Sequence, residues 1–220
     1  MNDYLRRNYE SCAAASQLLT DNSTDFDAGM VKTKRLAFAA AVEDVETKNA
    51  ELAAGVGETS MEFQQKGTAR EILRSDVAAI ADMAEGMEPD FDGITDMFRF
   101  RRNLPDADML ALARAFHLSS AAYEADFIAY GLPSAFRDDL AAHADAFETE
   151  TGDASTAKAD RVGAGQALAA SVAAAMQLKR TMDAIVRTKY TGNPGKLAAW
   201  TSASTVEKAP QKPPTPPTPI

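Results

Sequence analysis

Between residues 31 and 56, Val31, Arg35, Phe38, Val42, Val45, Asn49, Leu52 and Val56 follow one another at alternating steps of four and three. That spacing keeps returning a side chain to one face of an α-helix, so it defines a seam against a partner helix. Six of the eight are apolar. The rhythm continues through Phe63, Leu73, Val77, Ile80, Ala84 and Met87, but it passes Thr59, Lys66 and Arg70, which an uninterrupted seam does not favour. The pattern predicts an all-α fold, an elongated bundle of long antiparallel helices with coiled-coil-like packing.

The same periodicity and the breakers between its runs predict the other elements. A first helix over about 2–20 carries Leu5, Tyr9, Cys12, Ala13, Ser16 and Leu19 on one face, and a polar turn follows to Asp27. The segment from about 28 to 87 reads as one helix or two. Continued phase favours one, whereas Gly55 and Gly57 before Thr59 and Glu62, and Gly67 before Thr68 and Glu71, favour a kink or short turn between 55 and 68.

Leu104, Pro105, Asp106 and Asp108 open a third long helix, with Leu110, Ala113, His117, Ala121, Tyr123, Phe127 and Tyr130 along it. A restart at Pro133 carries Phe136, Leu140, His143 and Phe147 to Thr149, collinear with that helix or kinked from it. Asp153 or Ser155 caps the last long helix, to about Tyr190, whose face carries Ala164, Leu168, Ala175, Met182, Ile185 and Val186. Gly163, Gly165, Ala169, Ala170, Ala173 and Ala174 suggest close packing of that helix against bulkier ones. Gly86, Gly131, Gly152 and Gly192 each follow a helical run, where a left-handed residue closes a helix.

Asn193 and Pro194 start one more short turn holding Leu197, Ala198, Ala199 and Trp200, the single tryptophan. Lys189, Tyr190 and the run Leu197 to Ser204 (Leu-Ala-Ala-Trp-Thr-Ser-Ala-Ser) resemble the C-terminal signature of a group of uncharacterised bacterial helical-bundle proteins. The group carries His where this chain has Thr205, and the resemblance implies no activity. Trp200 is expected to anchor this segment on the bundle or to contact a partner. Six prolines in the last eleven residues make 209–220 a polyproline-type, disordered tail after a helical bundle over 1–208.

Composition narrows the function classes. A chain of 220 residues with 45% apolar and 25% charged residues can bury a sizeable core. Its formal charge of -9 argues against a general nucleic-acid binder, because phosphate neutralisation needs a basic surface, and leaves room only for a local basic patch. One cysteine, Cys12, excludes an intrachain disulfide framework, and its place on the apolar face reads as a small buried hydrophobe. The polar N-terminus and the lack of a membrane-length apolar run point to a soluble cytoplasmic protein with no membrane span.

The chemical candidates are few. Glu85, Glu88, Asp90, Asp92 and Asp96 crowd one loop, but they lack the ordered oxygens and closing Glu of a calcium loop, so a solvated acidic connection is expected. Arg99, Arg101 and Arg102 interleave with Phe98 and Phe100, and beside that loop they are expected to pair with Asp90, Asp92 or carboxylates of a neighbouring helix. A carboxylate-bridged di-iron bundle needs Glu three residues before His; Arg114 precedes His117 and Leu140 precedes His143. Gly163 and Gly165 lack the preceding strand of a dinucleotide site. No catalytic, cofactor or metal residue is therefore assigned.

A structural or protein-interaction bundle that self-associates or scaffolds is the expected function. The alternative is a metal-binding or enzymatic bundle using His117, His143 and nearby carboxylates. Arg35 and Asn49 on the seam, Arg99, Arg101, Arg102 and Trp200 are the candidate contacts to a protein partner. Asn49 carries a further expectation, since a buried amide needs a hydrogen-bond partner and fixes helix register.

Overall fold

The computed structural model describes residues 1–208, so the proline-rich tail read at 209–220 lies outside the described residues. The described chain is all-α, with no strand. Its elements are α1 (Asp3–Asp21), a 3-10 turn (Ser23–Phe26), α2 (Gly29–Met87), α3 (Ile94–Met97), α4 (Asp106–Ser119), a 3-10 turn (Ser120–Tyr123), α5 (Glu124–Tyr130), α6 (Phe136–Lys189) and α7 (Pro194–Ser204). No helix of the described residues is long and apolar enough to cross a membrane.

The chain divides into two compact units, one made of Met1–Ala54 with the chain from Val162, the other of Gly55–Arg161. Both long helices contribute to both units: α2 supplies 29–54 to the first and 55–87 to the second, and α6 supplies 162–189 and 136–161.

In the first unit the seam behaves as its spacing predicts. Phe38, Val42 and Val45 of α2 are buried with Leu168, Val172, Ala175, Met182 and Val186 of α6 and with Cys12, Ala15 and Leu19 of α1. Each large aliphatic or aromatic side chain so buried stabilises by about 1.5–3 kcal/mol. The Ser171 hydroxyl donates to Asp44 at 2.5 Å, and Tyr9 donates to Glu46 at 2.6 Å, which fix α6 and α1 against α2. Burial and the Glu46 carboxylate push the Tyr9 phenol up to about 12. Phe26 meets Tyr190 edge-on with centroids 5.5 Å apart, and the Tyr190 hydroxyl donates to Asp25 at 2.6 Å.

The second unit packs Leu73, Val77, Ile80, Ala84 and Met87 of α2 against Leu140, Ala144 and Phe147 of α6 and Met109, Ala113 and Phe116 of α4. Phe98 stands edge-on to Phe116 and Phe127, at 5.1 and 5.2 Å, and joins the connecting segment to this core. The α2 and α6 portions run antiparallel, as shown by Thr59 donating to the Ala157 carbonyl at 3.2 Å and by the His143–Asp76 contact at 2.6 Å.

Several expectations from sequence are corrected. α2 is a continuous helix with no turn at 55–68. A tertiary contact holds it: buried Thr59 donates across to the Ala157 carbonyl of α6 at 3.2 Å, and packing on α6 outweighs a glycine cost of about 1 kcal/mol per residue. Lys66 and Arg70, the misfits of the seam, reach Asp106 at 2.7 and 2.9 Å and tie α2 to the start of α4. Val56 and Phe63, which keep the seam's step, are exposed instead.

The break at Gly152 and the caps at Asp153 or Ser155 are absent, because α6 runs unbroken and buries Ala154. The third helix is interrupted at Ser120–Tyr123, where the buried Ser120 hydroxyl donates to the His117 carbonyl at 3.1 Å. Its core positions are Met109, Ala113, Phe116 and, beyond the interruption, Phe127, while Ala121 and Tyr130 are exposed. After Gly131, at φ +119°, the chain reverses rather than continuing collinear, so that Arg137 Nη2 donates back to the His117 carbonyl at 3.3 Å. Among the four glycines read as helix-closing, Gly131 alone is left-handed; Gly86 and Gly152 lie inside helices. The small residues of α6 do not mediate close approach, since Gly163, Ala170, Ala173 and Ala174 face outward and nothing lies within 4 Å of a Cβ built on Gly163 or Gly165.

Candidate functional site

Along the second unit, one face of α2 carries Gly57, Met61, Gln64, Gln65, Thr68, Ile72 and Ser75, all exposed and all uncharged. The opposite face is committed to the protein itself: Thr59 to α6, Lys66 and Arg70 to Asp106, and Leu73 to the core. Helix geometry therefore presents the neutral residues outward at heptad-like steps, Met61, Thr68 and Ser75 on one line and Gln65 and Ile72 beside it. Met61 is 59% and Ile72 41% exposed. With Ala146 and Glu150 of α6 they border a shallow groove. An uncharged helix face exposing Met and Ile can dock another helix by knobs-into-holes contacts, and it offers no nucleophile or base.

The candidate residues from sequence are dispersed. In the first unit Arg35 approaches Asp27 at 3.7 Å, and its Nε is buried without a partner among the described residues. Asn49 is half-buried, and no side-chain hydrogen bond of it occurs among the described residues. Trp200 is fully buried, donating its indole N–H to Asp183 at 2.8 Å; it anchors α7, whose start is capped by the Asn193 side chain accepting from the Lys196 N–H at 3.1 Å. Arg187 and the indole hold the Asp183 carboxyl below its ordinary value. Cys12 is buried 3.5 Å from the Met176 sulfur, and burial pushes its thiol up, away from thiolate chemistry.

In the second unit Arg99, Arg101 and Arg102 are exposed and take part in no ion pair among the described residues, contrary to the expected pairing with Asp90 or Asp92. The acidic loop instead caps itself. Glu88 accepts from the Gly93 and Thr95 N–H groups at 3.0 and 2.8 Å; the Thr95 side chain first, and then these backbone donors, lower its carboxyl, and Asp90 accepts from the Tyr130 hydroxyl.

His117 and His143 are engaged separately, His117 with the Arg137 carbonyl at 3.1 Å and His143 with Asp76 at 2.6 Å. Among the described residues the group of three potential metal ligands is Glu62, Glu150 and Asp153, with oxygens within 4.8 Å, and it includes neither histidine.

Sequence reasoning missed the neutral face of α2. Its signal was present in the lack of charge at 57, 61, 64, 65, 68, 72 and 75, but it shows only once α2 is known to be continuous. It also missed Lys179, which is buried in the first unit and donates from Nζ to Ser11 Oγ at 2.7 Å and to the Ser204 carbonyl at 2.8 Å. No family model, no curated protein and no solved structure matches this chain.

Proposed function

We propose that the chain is a protein-interaction helical bundle that self-associates through the neutral face of α2 centred on Thr68. The observation that supports this is the run of exposed uncharged positions from Gly57 to Ser75, with Met61 and Ile72 projecting from it, in a chain of which a quarter is charged. For a second copy as the occupant, charge distribution favours this strip over the charged faces of the chain. Each chain carries -9, so bringing charged faces of two copies together is repulsive, and two copies meet with least repulsion along this strip, where Glu71 and Glu150 stand only at its borders. A two-fold antiparallel crossing at Thr68 sets Met61 of one copy opposite Ser75 of the other and Ile72 opposite Gln64. Large apolar side chains then meet smaller or more flexible ones, as a self-complementary interface requires.

The test is the native mass by sedimentation over a range of concentrations, for the natural chain and for Met61→Glu/Ile72→Glu. A dimer that becomes a monomer in the double variant, with helix content unchanged, is expected. A natural chain that stays monomeric at the highest concentration, or a variant of undiminished mass, overturns the reading. The metal-binding alternative has no comparable support, because His117 and His143 each engage a different protein group and share no ligand cluster among the described residues.

A further inference from the structure

In the second unit a cavity of 270 Å³ lies between α4 and the first turns of α6. Its floor is Ala113 of α4 with Leu140 and Ala144 of α6, all buried, and exposed Leu118 stands at its rim. Alanines where two helices face each other leave space that larger side chains would fill. The lining spans only 113–118 and 140–145, about one and a half turns of each helix, whereas a docked helix needs anchors over two turns. The volume is just under the roughly 300 Å³ at which ordinary ligand pockets begin, which leaves room for one ring or a short alkyl chain.

The polar groups of the cavity stand on opposite walls, His117 on α4 and Asp145 on α6. His117 Nδ1 lies 3.1 Å from the Arg137 carbonyl, and a carbonyl only accepts, so Nδ1 carries the ring proton. Arg137 Nη2 returns a bond to the His117 carbonyl at 3.3 Å, which clamps the residue a second time. In the neutral imidazole Nε2 is then a lone-pair acceptor, and no hydrogen bond to it occurs among the described residues. Arg114, also on the α4 wall, is committed to Glu148 at 2.5 Å and stands 3.7 Å from Asp145. One guanidinium against two carboxylates leaves negative charge in excess at the mouth, and the acceptor on His117 calls for a donor.

We infer that this cavity binds a small organic ammonium, with its apolar body on Ala113, Leu140 and Ala144 and its N–H groups donated to His117 Nε2 and the Asp145 carboxylate. An anion of the same shape meets the excess negative charge and offers Nε2 no donor. The site shares no residue with the neutral face of α2, so its test does not depend on self-association.

The probe is phenethylammonium, titrated into the full chain at mildly alkaline pH, where an unperturbed imidazole is neutral, and followed by calorimetry and by the imidazole nitrogen resonances of His117. Saturable binding at one site per chain is expected, with the Nε2 resonance shifting as the site fills. Phenylpropionate, an anion of similar shape, and phenethylammonium on Asp145→Asn should each bind at least about tenfold more weakly, the loss of one charge-assisted hydrogen bond. Ala141→Leu, which places a larger side chain on the half-buried α6 wall, should abolish binding with helix content unchanged. No saturable binding by the natural chain overturns the proposal. So does phenylpropionate binding as tightly as the ammonium, an unmoved Nε2 resonance, or undiminished affinity in either variant.

Discussion

Asn49 sits between buried Val45 and half-buried Leu52, yet its amide has no protein partner among the described residues. Ser171 on Asp44 and Tyr9 on Glu46 join α6 and α1 to α2 in the first unit. Asn49→Leu is therefore expected to raise stability by about 1 kcal/mol, by replacing a partly desolvated amide with apolar surface, without changing the oligomer distribution. A chemical-denaturation midpoint that falls would show the amide to be needed. Asp106 makes the pH-dependent contribution at this scale. Lys66 and then Arg70 lower its carboxyl, so its stabilisation is complete above the ordinary value of 3.8 and is lost as pH falls through the lower folded value. Asp106→Asn should lower the melting temperature at neutral pH and flatten the stability profile below 3.8; an unchanged acid limb would mean that other carboxylates carry it.

The elements are stabilised less by helix propensity than by what each buries. α6 tolerates Gly152 and Gly163 because Ala154, Leu168 and Val172 are packed, and nothing stands within 4 Å of a Cβ added at either glycine. Gly152→Ala and Gly163→Ala should each add about 0.5–1 kcal/mol, read as higher melting temperatures, and a decrease at either would reveal a contact or bend not apparent in the helix. α7 is the opposite case. It is eleven residues long, too short to persist alone in water, and it depends on its docked tryptophan. Trp200→Ala should cost about 3–5 kcal/mol of first-unit stability. Loss of less than about 1 kcal/mol would place the anchoring energy elsewhere.

For the whole molecule, net charge and interface type set the response to salt. If two copies meet through the neutral face of α2, screening weakens the repulsion between chains of charge -9 and removes no attractive ion pair. Association is thus expected to strengthen from low to high salt, measured as a falling dimer dissociation constant by sedimentation. Weakening with salt would point to a contact built from ion pairs, with exposed Arg99, Arg101 and Arg102 as the first positions to test.

Apolar periodicity determined the all-α class, the limits of α1, and the buried seam at Phe38, Val42 and Val45 with its return at Leu73 to Met87, and the Asn193–Pro194 signal marked the start of α7, which runs for eleven residues where the sequence suggests one short turn. These are properties of one stretch of chain, because the 3.6-residue turn puts the relevant side chains side by side whatever else folds around them. Helix continuity was decided by tertiary structure. Gly55, Gly57 and Gly152 carry a local preference of about 1 kcal/mol against a helix, and only packing of α2 on α6 tells which side prevails. Partner choice was decided there too: Arg70 and Lys66 for Asp106, Asp76 for His143, and Ser204 for Lys179 lie 25 to 67 residues from them, and charge pattern within one helix carries no record of what approaches from another.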